Sequence, residues 1–352
     1  MIRITFFSLL TAFAAALPAQ GDKQLSIRVD EKAELLLTVQ YLSDYFLISE
    51  AELDYKKELE VAFSAYREHP AVELFKSMSQ SYFAFDKPIE FICHYSFPEL
   101  EVAVPFEENH LIYWKYRDTL GLFIHELKDF YERSSFHSFF EGQKPFYDSV
   151  VADVRTKLSN TDYIRLFEAY YRSSQASYNV IISPLLHSGG FGPRLKRPDG
   201  SNDLFAFIGP SADSGAFPQF NTQYLAFDLI LHEFSHSFCN PVINMYYEQL
   251  EKFECLYDPI AEAMEKQGYG NWKTCLYEHL VRASVVRLVH RAFGEKYAQA
   301  LRQWEVEEGS FVHLDGILAV LEDYEGNEGV AFNSIGPGLV AYFEGQVGTV
   351  CK

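Results

Sequence analysis

Basic residues are scarce in this sequence of 352 residues, which has 30 Lys and Arg against 49 Asp and Glu and a formal net charge of −19. A chain with this charge is repelled by phosphate backbones and by anionic lipid surfaces. Beyond its N-terminus the sequence also lacks an apolar run of about 18 residues, the length that a membrane-spanning helix needs. We therefore expect neither a nucleic-acid-binding protein nor a polytopic membrane protein.

Cysteine is scarce as well. The five residues are too few and too scattered for a disulfide scaffold, and none forms a CxxC pair of the kind that holds structural zinc or exchanges electrons. They are Cys93, Cys239, Cys255, Cys275 and Cys351. An odd number leaves at least one thiol unpaired, and a structural bridge within the set Cys239, Cys255 and Cys275 is one arrangement that the sequence allows.

Apolar and aromatic residues are plentiful, at 48% hydrophobic overall with 31 Phe and 23 Tyr. They supply enough area for a large core and for ligand grooves. No internal repeat and no linker rich in Ser, Pro or Gly divides the chain. We therefore expect its two halves to pack as lobes of one unit.

The first 19 residues have the pattern of a secretory signal peptide. Arg3 precedes an apolar run from Ile4 to Ala16, and small residues follow as far as Ala19. This order of a basic end, an apolar centre and a small-residue cleavage site is typical of exported precursors. We expect cleavage, export to the periplasm or beyond, and a mature chain that does not insert into a membrane.

The N-terminal half has mainly helical periodicity. We predict a short strand before a helix that begins near Glu31, and further helices in the stretches 50–67, 71–83, 111–158 and 162–171. At Tyr178 the pattern changes to two short apolar runs, separated by a long loop rich in Gly and Pro that we expect to be mobile. We assign residues 20–175 to a mostly helical lobe and residues 176–352 to a catalytic lobe.

The C-terminal half predicts three further helices. The first covers residues 221–240, with Asn221 or Thr222 as its N-cap and Pro241 closing its end. The others cover residues 248–267 and 272–293. Helices together with a few strands indicate a mostly helical α+β fold, with a short antiparallel hairpin at a sheet edge before the first of these helices.

The first of these helices carries the motif His232-Glu233-Phe234-Ser235-His236, an HExxH pattern. Residues four apart lie on one helix face, so both imidazoles can bind one metal ion while the glutamate points to a neighbouring coordination position. Imidazole nitrogens suit Zn²⁺, and a catalytic zinc site has three protein ligands and a water. We predict His232 and His236 as zinc ligands and Glu233 as the general base that takes a proton from the zinc-activated water.

A third ligand is required, and Glu278 is the best candidate. On the helix 272–293 it shares a stripe with Val281, Val285 and Val289, which should face inward, and a buried carboxylate needs a partner such as zinc. Arg282, one turn later, could hold this carboxylate in place. A plain surface pair between Glu278 and Arg282 remains open, and His279 is the alternative ligand. Other downstream carboxylates lie on polar faces: Glu248, Glu251, Glu254, Glu262 and Glu265.

Several neighbouring residues are candidates for supporting roles. Asp228 and Asn240, each one turn from a histidine, could orient a ring through its second nitrogen. A hydrogen-bond donor for a developing oxyanion could come from Tyr257, Tyr269, His187 or Arg282. An edge strand beside the active helix could bind an extended peptide, and Gly189, Gly190 and Gly192 would then let the substrate approach closely.

The segments HEFSHSF at 232–238 and YEHLVRA at 277–283 resemble the zincin metallopeptidases in which two histidines and a distal glutamate hold zinc. With FYERSSFHSFFEGQKPFYDSVV at 130–151, HEFSHSF also resembles an uncharacterised family of secreted bacterial proteins, chiefly from Bacteroidetes, known by a domain-of-unknown-function label. The resemblance runs from about residue 30 to residue 325. It implies a zincin-like fold, with His232, His236 and Glu278 as ligands and Glu233 as base. The spacing from His236 to Glu278 is longer than in thermolysin-like members.

We therefore expect a secreted zinc-dependent metallopeptidase that hydrolyses peptide bonds in a peptide or protein substrate. Two alternatives remain open. One is a non-catalytic zincin-like module that binds a peptide or a glycan, and the other is a zinc hydrolase of a non-peptide amide.

Overall fold

The computed structural model describes residues 23–108 and 110–350, with side chains as far as residue 348. The predicted signal peptide, residues 1–19, lies outside this part of the chain. Within it, five strands form one sheet: β1 (Ser26–Arg28), β2 (Ser177–Ile182), β3 (Gly190–Phe191), β4 (Arg194–Lys196) and β5 (Asn202–Ile208). The fold is mixed α/β and mostly helical, consistent with the predicted α+β class.

Helices surround the sheet. Those before β2 are α1 (Glu31–Leu42), α2 (Asp54–Phe63), α3 (Pro70–Ser79), α4 (Lys87–Cys93), α5 (Leu111–Arg133), α6 (Phe136–Gly142), α7 (Lys144–Leu158) and α8 (Tyr163–Tyr171). Those after β5 are α9 (Thr222–Tyr224), α10 (His232–Leu250), α11 (Ala261–Lys266), α12 (Trp272–Phe293), α13 (Glu295–Glu307), α14 (Leu314–Gly326) and α15 (Gly336–Val350).

The sheet combines parallel and antiparallel pairs. β1, β2 and β5 run parallel, and β3 and β4 pair antiparallel with the other side of β5. The two apolar runs that were expected to form an antiparallel hairpin are β2 and β5, which pair in parallel, so that pairing is wrong; an antiparallel hairpin before α10 does form, but between β4 and β5. The segment predicted as a plain loop between β2 and β5 contains β3 and β4, because the chain must run back along the sheet before β5 can lie parallel to β2.

Hydrophobic cores lie on both faces of the sheet. Val180 and Ala206 point into a core that also contains the HExxH helix and α12, whereas Ile181 and Phe207 point into a core built by the N-terminal helices. This follows from the two-residue period of a strand, which sends neighbouring side chains to opposite faces. β1, α7 and α8 contribute to the first of these cores. The domain boundary at residue 175 remains a prediction.

Most helix predictions are confirmed, but Pro241 does not end the helix. α10 continues through it to Leu250. A proline inside a helix leaves the carbonyl four residues earlier without its usual partner. Here the carbonyl of Ser237 accepts a hydrogen bond from Arg194 Nη1 of β4 at 3.4 Å. A donor from the sheet edge therefore replaces the missing backbone N–H, which sequence periodicity could not foresee.

The pairing of the cysteines differs from the bridge that the sequence allowed. Cys93, Cys239 and Cys275 are free thiols, and Cys255 is disulfide-bonded. A bridge within the set Cys239, Cys255 and Cys275 is therefore wrong, because Cys239 and Cys275 lie fully buried in the core as reduced side chains. Among the described helices none has both the length and the apolar character to span a membrane.

Candidate metal centre

The metal centre begins on a helix that changes its pitch just before the motif. Asn221 caps the helix by accepting hydrogen bonds from the backbone of Gln223 and Tyr224, as predicted for this position. The segment Leu225–Leu231 is π-helical, and α10 starts at His232. π-helical turns inside α-helices are frequent at functional sites. Because α10 starts at His232, its first two turns carry both motif histidines and Glu233, directly after the π-helical segment.

The two motif histidines and Glu278 bring three ligand atoms together. The Nε2 atoms of His232 and His236 lie 3.1 Å apart. Glu278 Oε2 lies 3.4 Å from His232 Nε2, and its Oε1 lies 3.4 Å from His236 Nε2. The structure thus brings all three predicted ligands into one cluster that could hold a metal ion.

The spacing of these atoms fits a tetrahedral cation. Zinc–nitrogen bonds of 2.0–2.1 Å at tetrahedral angles put the ligand atoms about 3.3 Å apart. The imidazoles are close to perpendicular, at 78°, and burial and the charge of His236 lower the pKa of His232 far below its usual value. A neutral imidazole keeps the lone pair that a metal needs. Glu278 Oε2 is buried and has no hydrogen-bond partner among the described residues, so the donor set fits a zinc ion.

Asn240 orients one of the rings, as considered from sequence. Its Oδ1 lies 3.2 Å from His236 Nδ1. An amide oxygen accepts from an N–H, so Nδ1 carries the proton and Nε2 stays free for a metal. Asp228 makes no hydrogen bond to His232 among the described residues, and partial burial raises the pKa of its carboxyl to about 6 in spite of the nearby charge of Arg282.

Glu233 lies between the metal cluster and the sheet edge. A β-carbon at Gly190 of β3 would lie 2.9 Å from Glu233 Cγ and Oε1, and one at Gly192 would lie 2.0 Å from the Glu233 carbonyl oxygen. These glycines were expected to admit substrate, but they make room for the base and its helix. Burial, and then the nearby charge of Glu278, raise the pKa of Glu233 well above its usual value.

Arg282 links Glu278 to a wider buried network. Its Nε lies 3.7 Å from Glu278 Oε2. Its Nη1 donates to both carboxylate oxygens of Glu305, at 2.8 and 3.0 Å, and its Nη2 donates to the Tyr269 hydroxyl at 3.2 Å. The side chains of Glu278 and Arg282 are only 8% and 14% exposed. The alternative of a plain surface pair on a half-exposed helix is therefore wrong.

Other candidates lie outside the cluster. His279 is fully buried and donates through Nδ1 to the Cys275 carbonyl at 2.8 Å, packing against Phe311 rather than facing the two histidines. Tyr257 donates to the carbonyl of Tyr269 at 2.8 Å. The alternative downstream carboxylates are all exposed: Glu248, Glu251, Glu254, Glu262 and Glu265. Of the four proposed oxyanion donors, Tyr269 and Arg282 are those that the structure places beside Glu278.

Sequence reasoning missed three residues near the centre. Glu305 on α13 is buried against Arg282. Burial raises the pKa of Tyr224 to about 12, and the charge of Glu233 adds a smaller contribution. Asp86, just before α4, makes a minor contribution to the raised pKa of Glu233, after burial and Glu278. Tyr224 shares the helix of the motif, which is a usable signal. Nothing in the local sequence distinguishes Glu305 or Asp86 from other surface acids.

The comparisons with known proteins give a family and no named relative. No curated protein and no solved structure matches the chain. Residues 25–341 match the family model described as "Domain of unknown function (DUF4932)". Because this match covers most of the sequence, the chain belongs to that family.

Proposed function

We propose that the protein is a zinc-dependent metallopeptidase with a zincin-like fold, in which His232, His236 and Glu278 hold the metal and Glu233 is the general base. The observation that carries the proposal is a cluster in which the two imidazole Nε2 atoms lie 3.1 Å apart and each lies 3.4 Å from one oxygen of the Glu278 carboxylate, with an acid between the two histidines of one helix. Two imidazoles, one carboxylate and room for a water form the ligand set of catalytic zinc sites.

Zinc held by His232, His236 and Glu278 would lower the pKa of a coordinated water and polarise a carbonyl oxygen. Glu233 would take a proton from the attacking water and would then give it to the leaving amine. Burial, and then the charge of Glu278, raise the pKa of Glu233, which makes its carboxylate a stronger base towards the water proton. The positive charge of a metal ion next to it would bring the base form within reach at neutral pH.

Tyr269 is the donor we assign to the developing oxyanion. Its hydroxyl lies 3.2 Å from Arg282 Nη2 and adjoins Glu278. Burial, and then the charge of Glu278, raise the pKa of Tyr269 above its usual value, so the hydroxyl keeps its proton and can donate it in a hydrogen bond. Donors aimed at the position where charge develops give large stabilisation of the transition state.

The sheet edge supports a peptide as the substrate. Among the described strands, β3 and β4 together form the edge of the sheet beyond β5, and Gly190 of β3 and the following Gly192 pack beside the first turn of α10. A free strand edge can bind an extended peptide through main-chain hydrogen bonds. Because residues 1–19 have the pattern of a signal peptide, we also propose that the enzyme acts outside the cytoplasm, in the periplasm or beyond.

The test combines metal analysis with an activity assay on wild type and Glu233→Gln. The proposal expects about one zinc per chain in both proteins, cleavage of casein or a peptide library by wild type, and activity at least 100-fold lower in the variant. Zinc bound without cleavage of any peptide would contradict the peptidase. A non-catalytic binding module would then show peptide or glycan binding that Glu233→Gln leaves unchanged. A hydrolase of a non-peptide amide would lose its activity in the same variant.

A further inference from the structure

Arg282 lies beside Glu305, Tyr269 and Glu278, but its N–H groups donate hydrogen bonds only to the first two. Two contacts of 2.8 and 3.0 Å go from Nη1 to Glu305, and one of 3.2 Å goes from Nη2 to Tyr269. The Nε atom is buried and makes no hydrogen bond among the described residues, although it faces Glu278 Oε2 at 3.7 Å. The Phe311 ring, 4.4 Å from the guanidinium carbon, covers one face of the group.

A guanidinium released from Glu305 would have a better partner within reach. Arginine prefers to bind a carboxylate through two parallel N–H donors, and Glu278 is the nearest other carboxylate. A paired arrangement of this kind would occupy lone pairs of Glu278 that face the two histidines. Arginine and a metal ion would then compete for the same carboxylate.

Glu305 is placed to prevent this competition. Its side chain is only 3% exposed, it lies on α13, which packs along α12, and both of its oxygens contact the same Arg282 nitrogen. A buried carboxylate with one cationic partner binds that partner firmly, because neither group can return to water without cost. The guanidinium is thereby held at Glu305 and only approaches Glu278.

We propose that Glu305 is a positioning residue of the metal centre, which holds Arg282 so that the Glu278 carboxylate stays available to the metal and the Tyr269 hydroxyl stays aimed at the site. This inference rests on the proposed metal centre. It adds Glu305, which lies on a separate helix, α13, and whose side chain acts through Arg282 rather than by contact with the metal ligands or the substrate.

The experiment measures Zn²⁺ affinity of the full chain by competition with a chromophoric chelator, in wild type, Glu305→Gln and Glu305→Asp. Loss of a residue that orients a ligand lowers metal affinity by about 10–100-fold, and we expect this for Glu305→Gln. Glu305→Asp keeps the charge on a shorter side chain and should give an intermediate affinity. It also provides the test if the glutamine variant does not fold.

The same helix offers a matched control. Arg287 of α12 binds Glu325 through Nε and Nη2, both at 2.8 Å, in a pair that does not involve the metal cluster and whose arginine is about as buried as Arg282. Glu325→Gln should therefore leave zinc affinity unchanged. The visible absorption of bound Co²⁺ gives a second measurement, because it reports the coordination geometry and should change in Glu305→Gln but not in Glu325→Gln.

Three results would contradict the inference, and they differ from one another. If wild type binds zinc and both Glu305 variants bind it equally well with the same cobalt spectrum, Glu305 has no positioning role, while the proposed metal centre stands. If wild type binds no zinc, the proposed function fails and the inference fails with it. An equal loss of affinity in Glu325→Gln would mean that the effect reflects the stability of α12 alone.

Discussion

Gly190 lies against the side chain of Glu233, so closely that a β-carbon at position 190 would stand 2.9 Å from Glu233 Oε1 and 2.7 Å from the Phe207 carbonyl oxygen. A sheet-edge residue without a side chain thus sets the space in which the acid of the motif can lie. The position of Glu233 therefore depends on β3 as much as on its own helix.

Gly190→Ala should displace the base without removing the metal. The added methyl group must push Glu233 or shift the strand, and a misplacement of about 1 Å can lower a rate by about 100-fold. We expect zinc content to match wild type and peptide hydrolysis to fall by roughly that factor. Gly215→Ala is the control, because a β-carbon there meets nothing within 4 Å. Full activity in Gly190→Ala would refute this role of the glycine.

The parts of the fold that follow from local periodicity were predictable. α12 begins and ends where the helix at residues 272–293 was predicted, and α1 begins at Glu31, as predicted. Features that depend on distant partners were not predictable. Pro241 was expected to end a helix because the sequence does not reveal that Arg194 bonds the carbonyl of Ser237.

The same distinction applies to the site. His232, His236 and Glu278 could be identified because helical spacing and an apolar stripe are local signals. Glu305 could not, because its burial depends on how α13 packs against α12. The supporting role considered for Asp228 assumed regular α-helical spacing, whereas the segment Leu225–Leu231 before His232 is π-helical, which local sequence does not reveal.

Asn240→Ala should weaken metal binding while leaving the fold intact. The amide oxygen that accepts from His236 Nδ1 would be lost, and removal of such a partner lowers metal affinity by about 10–100-fold. Chelator competition measures the change. Asn244→Ala is a control on the same helix, since Asn244 bonds the Tyr277 hydroxyl rather than a histidine. Equal affinities in all three proteins would contradict the orienting role.

The stability of the protein should fall as the pH rises through the range of the buried Glu34. Burial raises the pKa of this carboxyl to about 7 from 4.5, although its Oε2 accepts a hydrogen bond from the Tyr55 hydroxyl at 2.8 Å. The folded state binds the proton more tightly than the unfolded state, so stability present below pH 4.5 is lost by about pH 7. The loss amounts to about 3 kcal/mol.

Denaturant unfolding between pH 4 and pH 8 measures this effect. The Glu34→Gln variant has no titrating group at position 34. Its unfolding free energy should therefore fall less than that of wild type between pH 4 and pH 8, which gives a flatter profile against pH. Glu52→Gln, which changes an exposed carboxylate, should keep the wild-type profile. Parallel profiles for wild type and Glu34→Gln would show that Glu34 does not titrate in this range.

Removal of the metal should lower thermal stability. A ligand that binds only the folded state at 1,000 times its dissociation constant stabilises it by about 4 kcal/mol. We therefore expect a chelator to lower the Tm of wild type by several degrees and zinc to restore it. Glu278→Gln, which lacks one ligand, should respond much less to either treatment. A wild-type Tm that is indifferent to chelator and to zinc would speak against a bound metal.

X-ray absorption at the zinc edge, measured on the zinc-loaded full chain, tests the metal centre most directly. The account predicts four ligands without sulfur, including two imidazole nitrogens at about 2.0–2.1 Å and a carboxylate oxygen, and the loss of the imidazole signal in a variant with His232→Ala and His236→Ala. A shell that contains sulfur at about 2.3 Å, or one that is the same in wild type and in that variant, would contradict it.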